Sequence, residues 1–233
     1  MIRSLKDIKK AFSSLWEAGR GLPFLFSLLL ILASCSGTEE YDPRHDWQER
    51  NAQWFAEVYD TATKAIAEAK AQYPNGNEWE QQCAWRVYKT LLKSQDVQGP
   101  ATDYIVCKVI ERGNGEWSPA YTDSVRLYYR GWLMDDNYPT SKTNLSVFSQ
   151  TYFGETVDEN TTAPVAMPVS STVEGFMTAV QYMVKGDEWD VYIPQELAYK
   201  AEASGVIPAY STLLYRLRIE LVHKSGTGMS EWR

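Results

Sequence analysis

Four stretches in the C-terminal half of the chain alternate apolar and polar residues with the two-residue period of a half-buried strand. In the first, Ile105, Cys107 and Val109 alternate with Tyr104, Val106 and Lys108, and Glu111-Arg112-Gly113-Asn114-Gly115 follows as a turn. In the second, Val125, Leu127 and Tyr129 share one face while Arg126, Tyr128 and Arg130 share the other, which predicts a strand with one buried side. Trp189, Val191 and Ile193 alternate with Asp190 and Tyr192. In the last, Leu213, Tyr215, Leu217, Ile219 and Leu221 alternate with Arg216, Arg218 and Glu220. Between the second and third stretches, Phe176, Ala179, Val180 and Met183 follow i, i+3, i+4, i+7 spacing, and Lys185-Gly186-Asp187 ends that helix. One short helix crossing one face of an antiparallel sheet is an α+β arrangement.

The N-terminal half reads differently. From Asp46 to Gln72 there is neither Gly nor Pro, and Trp54, Val58, Ala62, Ala65 and Ala69 form one helical stripe. Tyr73-Pro74-Asn75-Gly76-Asn77 stops it, because proline disfavours helix in the preceding residue and Asn-Gly supplies turn chemistry. The stretch 78–94 stays open, since Trp85, Tyr88 and Leu92 fit a helix while Trp85, Val87 and Thr90 fit a strand poorly. Residues 95–102, with Gly99 and Pro100, make a plausible boundary. This divides the chain into a helical segment over 46–100, a sheet domain over 101–224 and a tail over 225–233.

Residues 1–34 are an address rather than a fold. Arg3, Lys6, Lys9, Lys10 and Arg20 precede an uncharged apolar run from Leu22 to Ala33, the basic and hydrophobic regions of a secretory signal. The run is shorter than the ~20 apolar residues of a transmembrane helix. It ends in Leu32-Ala33-Ser34-Cys35, which resembles the bacterial lipobox, so Cys35 is expected to carry lipid after cleavage and to anchor the protein to a membrane. A plain cleaved signal or an uncleaved anchor helix are the other readings. Residues 35–45, short and acidic, read as a tether without fixed structure.

Charge excludes one class of partner. The chain has 23 basic and 30 acidic residues; the leader holds five and two of these, which leaves 18 against 28, about −10 for the mature protein. That sign repels phosphate backbones, and no basic stripe with interleaved aromatics is present, so nucleic acid is not an expected partner. Beyond Cys35 only Cys83 and Cys107 remain, compatible with one disulfide or with two buried thiols. His45 and His223 are the only histidines, too few for a histidine-based metal site.

Several strings, in order, resemble the FKBP-type peptidyl-prolyl cis-trans isomerases over Tyr104 to Val222. Val125-Arg126-Leu127-Tyr128-Tyr129-Arg130-Gly131 is similar to the family's strand ending in Tyr-x-Gly, and Val147-Phe148-Ser149-Gln150 to its Phe-Asp-Ser-Ser segment, with Ser149 at the aspartate position. Thr172-Val173-Glu174-Gly175-Phe176 resembles Val-Ile-x-Gly-Trp, with Phe176 replacing tryptophan. Gly186-Asp187-Glu188-Trp189 and Ile193-Pro194-Gln195-Glu196-Leu197-Ala198-Tyr199 resemble the helix exit, the next strand and the Tyr-Ala-Tyr-Gly corner, with Lys200 in place of the glycine. Gly205-Val206-Ile207-Pro208 through Leu213 resembles the loop into the last strand, and Tyr215 matches that strand's aromatic. Val165 matches a pocket position only loosely, and the connection 136–147 is longer than the family's.

The resemblance implies an FKBP-like antiparallel sheet wrapped around one short helix, and a prolyl pocket made by Tyr129, Phe148, Ser149, Thr172, Val173, Phe176, Tyr199, Val206, Ile207 and Tyr215, with no metal and no cofactor. It implies that the Ile207 N–H and the Tyr199 hydroxyl orient substrate carbonyls. Ser149 lacks the charge that would fix a tyrosine hydroxyl, and Lys200 implies an altered backbone or one that accepts negative φ. The expected activity is cis-trans isomerisation of X-Pro bonds in exported proteins at the cell envelope, on the outer membrane. The alternative is a weakly catalytic binding module or holdase. The helical segment is expected to pack on the domain, to form a homodimer or to bind clients.

Overall fold

A computed structural model describes residues 42–138 and 145–227. The expected leader over 1–34, Cys35, most of the expected tether, the middle of the 136–147 connection and the end of the tail lie outside these residues. Three helices, α1 (Trp47–Gln72), α2 (Trp79–Gln82) and α3 (Glu174–Val180), accompany strands β1 (Trp85–Lys89), β2 (Tyr104–Glu111), β3 (Ser124–Leu133), β4 (Ser146–Gln150), β5 (Val165–Pro168), β6 (Glu188–Ile193) and β7 (Leu213–His223). All pairings are antiparallel, in the order β1-β2-β6-β7-β3-β4. β5 pairs with the first half of β3, over Ser124 to Leu127, and β4 with its second half, from Arg130 to Leu133.

α3 lies against one face of the sheet. It comes so close that a Cβ on Gly175 would sit 2.3 Å from Ile193 Cγ2, which is why its first turn needs glycine. The core gathers around it, from Ile105, Cys107, Val191 and Ile193 under the helix to Leu213, Leu217 and Ile219 along β7.

α1 covers the opposite face of β1, β2 and β6. Phe55 and Ala62 pack with Val106, and the Trp54 and Tyr192 rings meet edge to face at 5.9 Å. Val106 stands on the strand face that alternation alone would leave wet, yet it is fully buried. Trp54, Val58 and Ala62 of the helical stripe thus pack on the sheet, while Ala65 and Ala69 remain half-buried.

Other expectations change once neighbours are seen. The open stretch 78–94 holds both structures, the single turn α2 and then strand β1, so 46–100 is not helical throughout and β1 joins the sheet across the boundary expected at 95–102. β3 is buried on both sides. Tyr128 is 1% exposed, its hydroxyl reaches the Thr162 carbonyl at 3.4 Å, and Arg126 lies 3.7 Å from Glu220. The alternation of β7 slips at a bulge, because Leu127 faces Ile219 while Arg126 faces Leu221, leaving Glu220 as the extra residue. Val222 therefore takes the buried place expected for Leu221. The last tether residues are fixed as well: Arg50 donates to the Pro43 carbonyl at 2.8 Å and to the His45 carbonyl at 3.0 Å. Cys83 and Cys107 are buried free thiols, and burial pushes the Cys107 thiol far up.

Candidate functional site: an uncharged aromatic cleft

β3, β4, β5, β7 and the start of α3 bound a cleft of about 720 Å³, closed on its remaining side by the segment from Tyr199 to Ile207. Tyr215 on β7 is its hub. The rings of Phe148, Phe176 and Tyr129 meet the Tyr215 ring at 5.3, 5.2 and 6.2 Å, all edge to face. Such contacts contribute about 0.5–1.5 kcal/mol each beyond area burial, so the four rings hold one another in place. The space for them comes from Gly131, where a Cβ would stand 2.6 Å from Phe148 Cζ and 2.9 Å from Tyr215 Cε1. Burial, and then the neighbouring Tyr199 and Tyr129 phenols, push the Tyr215 hydroxyl far up, so it stays neutral.

All ten residues expected to form the pocket line this one cleft. Phe176 projects from the first turn of α3, whose N-cap is Val173. Val206, 68% exposed, forms the rim, and Ile207 the buried wall behind it. Met167, Ser171, Ser204 and Gly205 also line it and were not anticipated. Met167 takes the place considered for Val165. It stands two residues along the same face of β5, so period two could have offered it. The serines carry no pattern that would single them out. None of the fourteen lining residues is an acid, a base or a histidine.

Three details differ from expectation. The Ile207 N–H does not face the cleft; it donates to the Ser204 carbonyl at 3.0 Å, and Ser204 N–H returns a bond to Ile207 at 2.9 Å, closing a tight turn with Gly205 at φ 58°. Among the described residues no acceptor pairs with the Val173 N–H at the mouth of α3, and none with the Tyr199 hydroxyl. Second, Ser149 does hold a tyrosine, its hydroxyl lying 2.9 Å from that of Tyr129. Third, Lys200 adopts φ 58° itself, so the left-handed backbone is kept without glycine. Two backbone bonds hold it there: Lys200 N–H to the Gln195 carbonyl at 3.0 Å, and Tyr210 N–H to the Lys200 carbonyl at 2.7 Å.

Residues 115–222 match the family model described as FKBP-type peptidyl-prolyl cis-trans isomerase. Among known proteins the chain is 34% identical over 113 residues to an FKBP-type 22 kDa peptidyl-prolyl cis-trans isomerase of Escherichia coli, covering 48% of this chain and 47% of that one. It is 29% identical over 120 residues to an outer membrane protein MIP of Legionella longbeachae, covering 51% of this chain and 44% of that one. It is 28% identical over 112 residues to FK506-binding protein 1 of Aspergillus oryzae, covering 48% of this chain and 92% of that one. The similarity thus spans about half the length of the two bacterial relatives and nearly all of the fungal one. The likeness to the FKBP-type peptidyl-prolyl cis-trans isomerase family therefore rests on residues 115–222 of this chain.

Proposed function

We propose that this protein is a peptidyl-prolyl cis-trans isomerase acting on exported polypeptides, held at the bacterial envelope through lipid on Cys35. The observation that carries the reading is the uncharged aromatic cleft. Rotation about an X-Pro bond crosses a barrier of ~18–20 kcal/mol and takes ~10–100 s unaided, yet it breaks no covalent bond and moves no proton. A site need only favour the twisted imide over its planar forms. The planar imide is the more polar, resonance-stabilised species, so a dry apolar wall destabilises it relative to the twisted one. Tyr129, Phe148, Phe176, Ile207 and Tyr215 supply that wall. The Tyr199 hydroxyl and the Val173 N–H, both without partners among the described residues, are suited to hold the flanking carbonyls.

The outer membrane protein MIP among the relatives accords with an envelope location, and the lipobox-like Leu32-Ala33-Ser34-Cys35 with a lipid anchor. Proline-containing segments of exported chains are the proposed substrates. The neutral Tyr129–Ser149 bond favours a second reading, a weak catalyst that grips clients without turning them over quickly.

The test is X-Pro isomerisation by the full chain in detergent micelles, beside Tyr199→Phe. The reading requires rates above the uncatalysed reaction and a drop of about fivefold in the variant, the worth of one neutral hydrogen bond. Wild-type rates equal to the uncatalysed reaction would sink it, and suppression of client aggregation by that same preparation would then favour the holdase. Lipid labelling of the wild type and Cys35→Ala checks the anchor; label in neither contradicts it.

A further inference from the structure

The buried face of α1 carries two polar groups that its packing on the sheet does not explain. Asn51 is fully buried. A buried amide is costly unless it is paired, so its partners identify its role. Its Oδ1 accepts from the Thr212 N–H at 2.8 Å, its own carbonyl accepts from the Thr212 hydroxyl at 3.2 Å, and its Nδ2 donates to the Trp47 carbonyl at 2.8 Å, which fixes the amide's orientation. One turn earlier, Trp47 Nε1 donates at 3.0 Å to the Ser211 hydroxyl, which itself donates to the Pro208 carbonyl at 2.7 Å.

These contacts fall on a segment under strain. Pro208 follows Ile207, the buried wall of the cleft, and Thr212 precedes β7, which carries Tyr215. Between them Tyr210 stands at φ 61°, a conformation that costs a non-glycine residue of the order of 1 kcal/mol and persists only when its surroundings hold it. Arg50, on the same turn of α1, donates to the carbonyls of Asp136 and Tyr138. Those residues lie between β3 and β4, which bring Tyr129, Phe148 and Ser149. The first turns of α1 therefore bracket the cleft's strands at two places, 208–212 and residues 136 and 138.

We propose that Trp47 and Asn51 are positioning residues for the cleft: the N-terminal helix sets the wall made by Ile207 and so tunes the affinity for proline segments, from outside the 115–222 region. This rests on the prolyl-binding reading of the site. A loosened wall weakens binding of planar and twisted substrate alike, so the effect is expected in KM and not in kcat.

The experiment compares full-length wild type, Trp47→Phe, Asn51→Ala and Phe55→Ala in micelles. Phe55 is buried on the same helix against Val106 and touches neither bracket, so Phe55→Ala reports general loosening of α1. The readouts are KM and kcat for a tetrapeptide with one X-Pro bond, its Kd, and amide hydrogen exchange over 204–212. The proposal expects KM and Kd to rise about five- to tenfold in Trp47→Phe and Asn51→Ala with kcat within about twofold, the loss of roughly one hydrogen bond. It also expects faster exchange at 204–212, and neither change in Phe55→Ala. Unchanged Kd and exchange in Trp47→Phe, which keeps a ring in place and folds even where Asn51→Ala does not, overturn it. So does an equal rise in Phe55→Ala. A wild type that binds the peptide without isomerising it removes the catalytic reading alone, and Kd and exchange still judge the clamp. A wild type that does not bind it overturns both.

Discussion

The hydroxyls of Tyr129 and Ser149 meet at 2.9 Å across the β3–β4 pair. Ser149 stands opposite Gly131, which makes Tyr129 its diagonal neighbour, within reach of a long side chain. The bond is neutral, and a carboxylate there would accept from the phenol with about twice the strength. Ser149→Asp is predicted to raise kcat/KM several-fold at pH 7, and Ser149→Ala to lower it about fivefold, the worth of one neutral hydrogen bond. Identical rates in all three proteins would show that the Tyr129 hydroxyl plays no part.

Gly131 gives the cleft its ring cluster. Ala in its place would press on Phe148 and Tyr215 from 2.6 and 2.9 Å. Overpacking of this kind costs ~1–3 kcal/mol, so Gly131→Ala is predicted to lower the thermal midpoint by several degrees and to weaken proline-peptide binding at least about tenfold. Calorimetry and peptide titration check both parts, and tight binding by the variant would contradict the account.

Lys200 keeps a left-handed conformation at φ 58° with an exposed side chain, held by its backbone bonds to Gln195 and Tyr210. A non-glycine residue there costs ~1–2 kcal/mol, partly offset by the greater entropy of glycine in the unfolded chain. Lys200→Gly is predicted to stabilise the protein by about 0.5–1 kcal/mol with the cleft unchanged. Urea unfolding midpoints measure it; a lower midpoint would refute it.

Asp123, buried just before β3, accepts from Ala120 N–H and Ser225 N–H, both at 2.8 Å. Burial opposes its charge, but these two donors together with Lys224 and His223 outweigh it and hold the carboxyl below its ordinary range. A depressed folded value means that the stabilisation is present above the unfolded value, about 3.9, and is lost as pH falls through the folded one. Asp123→Asn is predicted to melt lower than wild type at pH 7, with the gap shrinking below about pH 4. A gap independent of pH would mean that the charge is not responsible.

How much of the molecule could be read from the chain depended on the range of the signal. β2, β3, β6, β7 and α3 were legible because one buried face repeats within each, at period two or near 3.6. β1 was not, because Trp85, Tyr88 and Leu92 keep a helical spacing while Trp85, Val87 and Thr90 fit a strand poorly. β5 was hidden by its brevity and by Pro168. The ten cleft residues were legible through ordered family motifs; periodicity alone would have assigned most of them to the core.

The sequence by itself determined the α+β class and the α1 stripe, since these follow from residue type and spacing along the chain, while the side chains of the uncharged aromatic cleft were picked out by ordered family motifs. Tertiary structure alone determined where polar groups find their partners: Asn51 with Thr212, Trp47 with Ser211, Tyr129 with Ser149, and the Ile207 N–H with Ser204 instead of the cleft. A hydrogen bond is satisfied within about 3 Å by whatever the fold brings there, and a partner 161 residues away, as for Asn51, leaves no periodic trace in the chain.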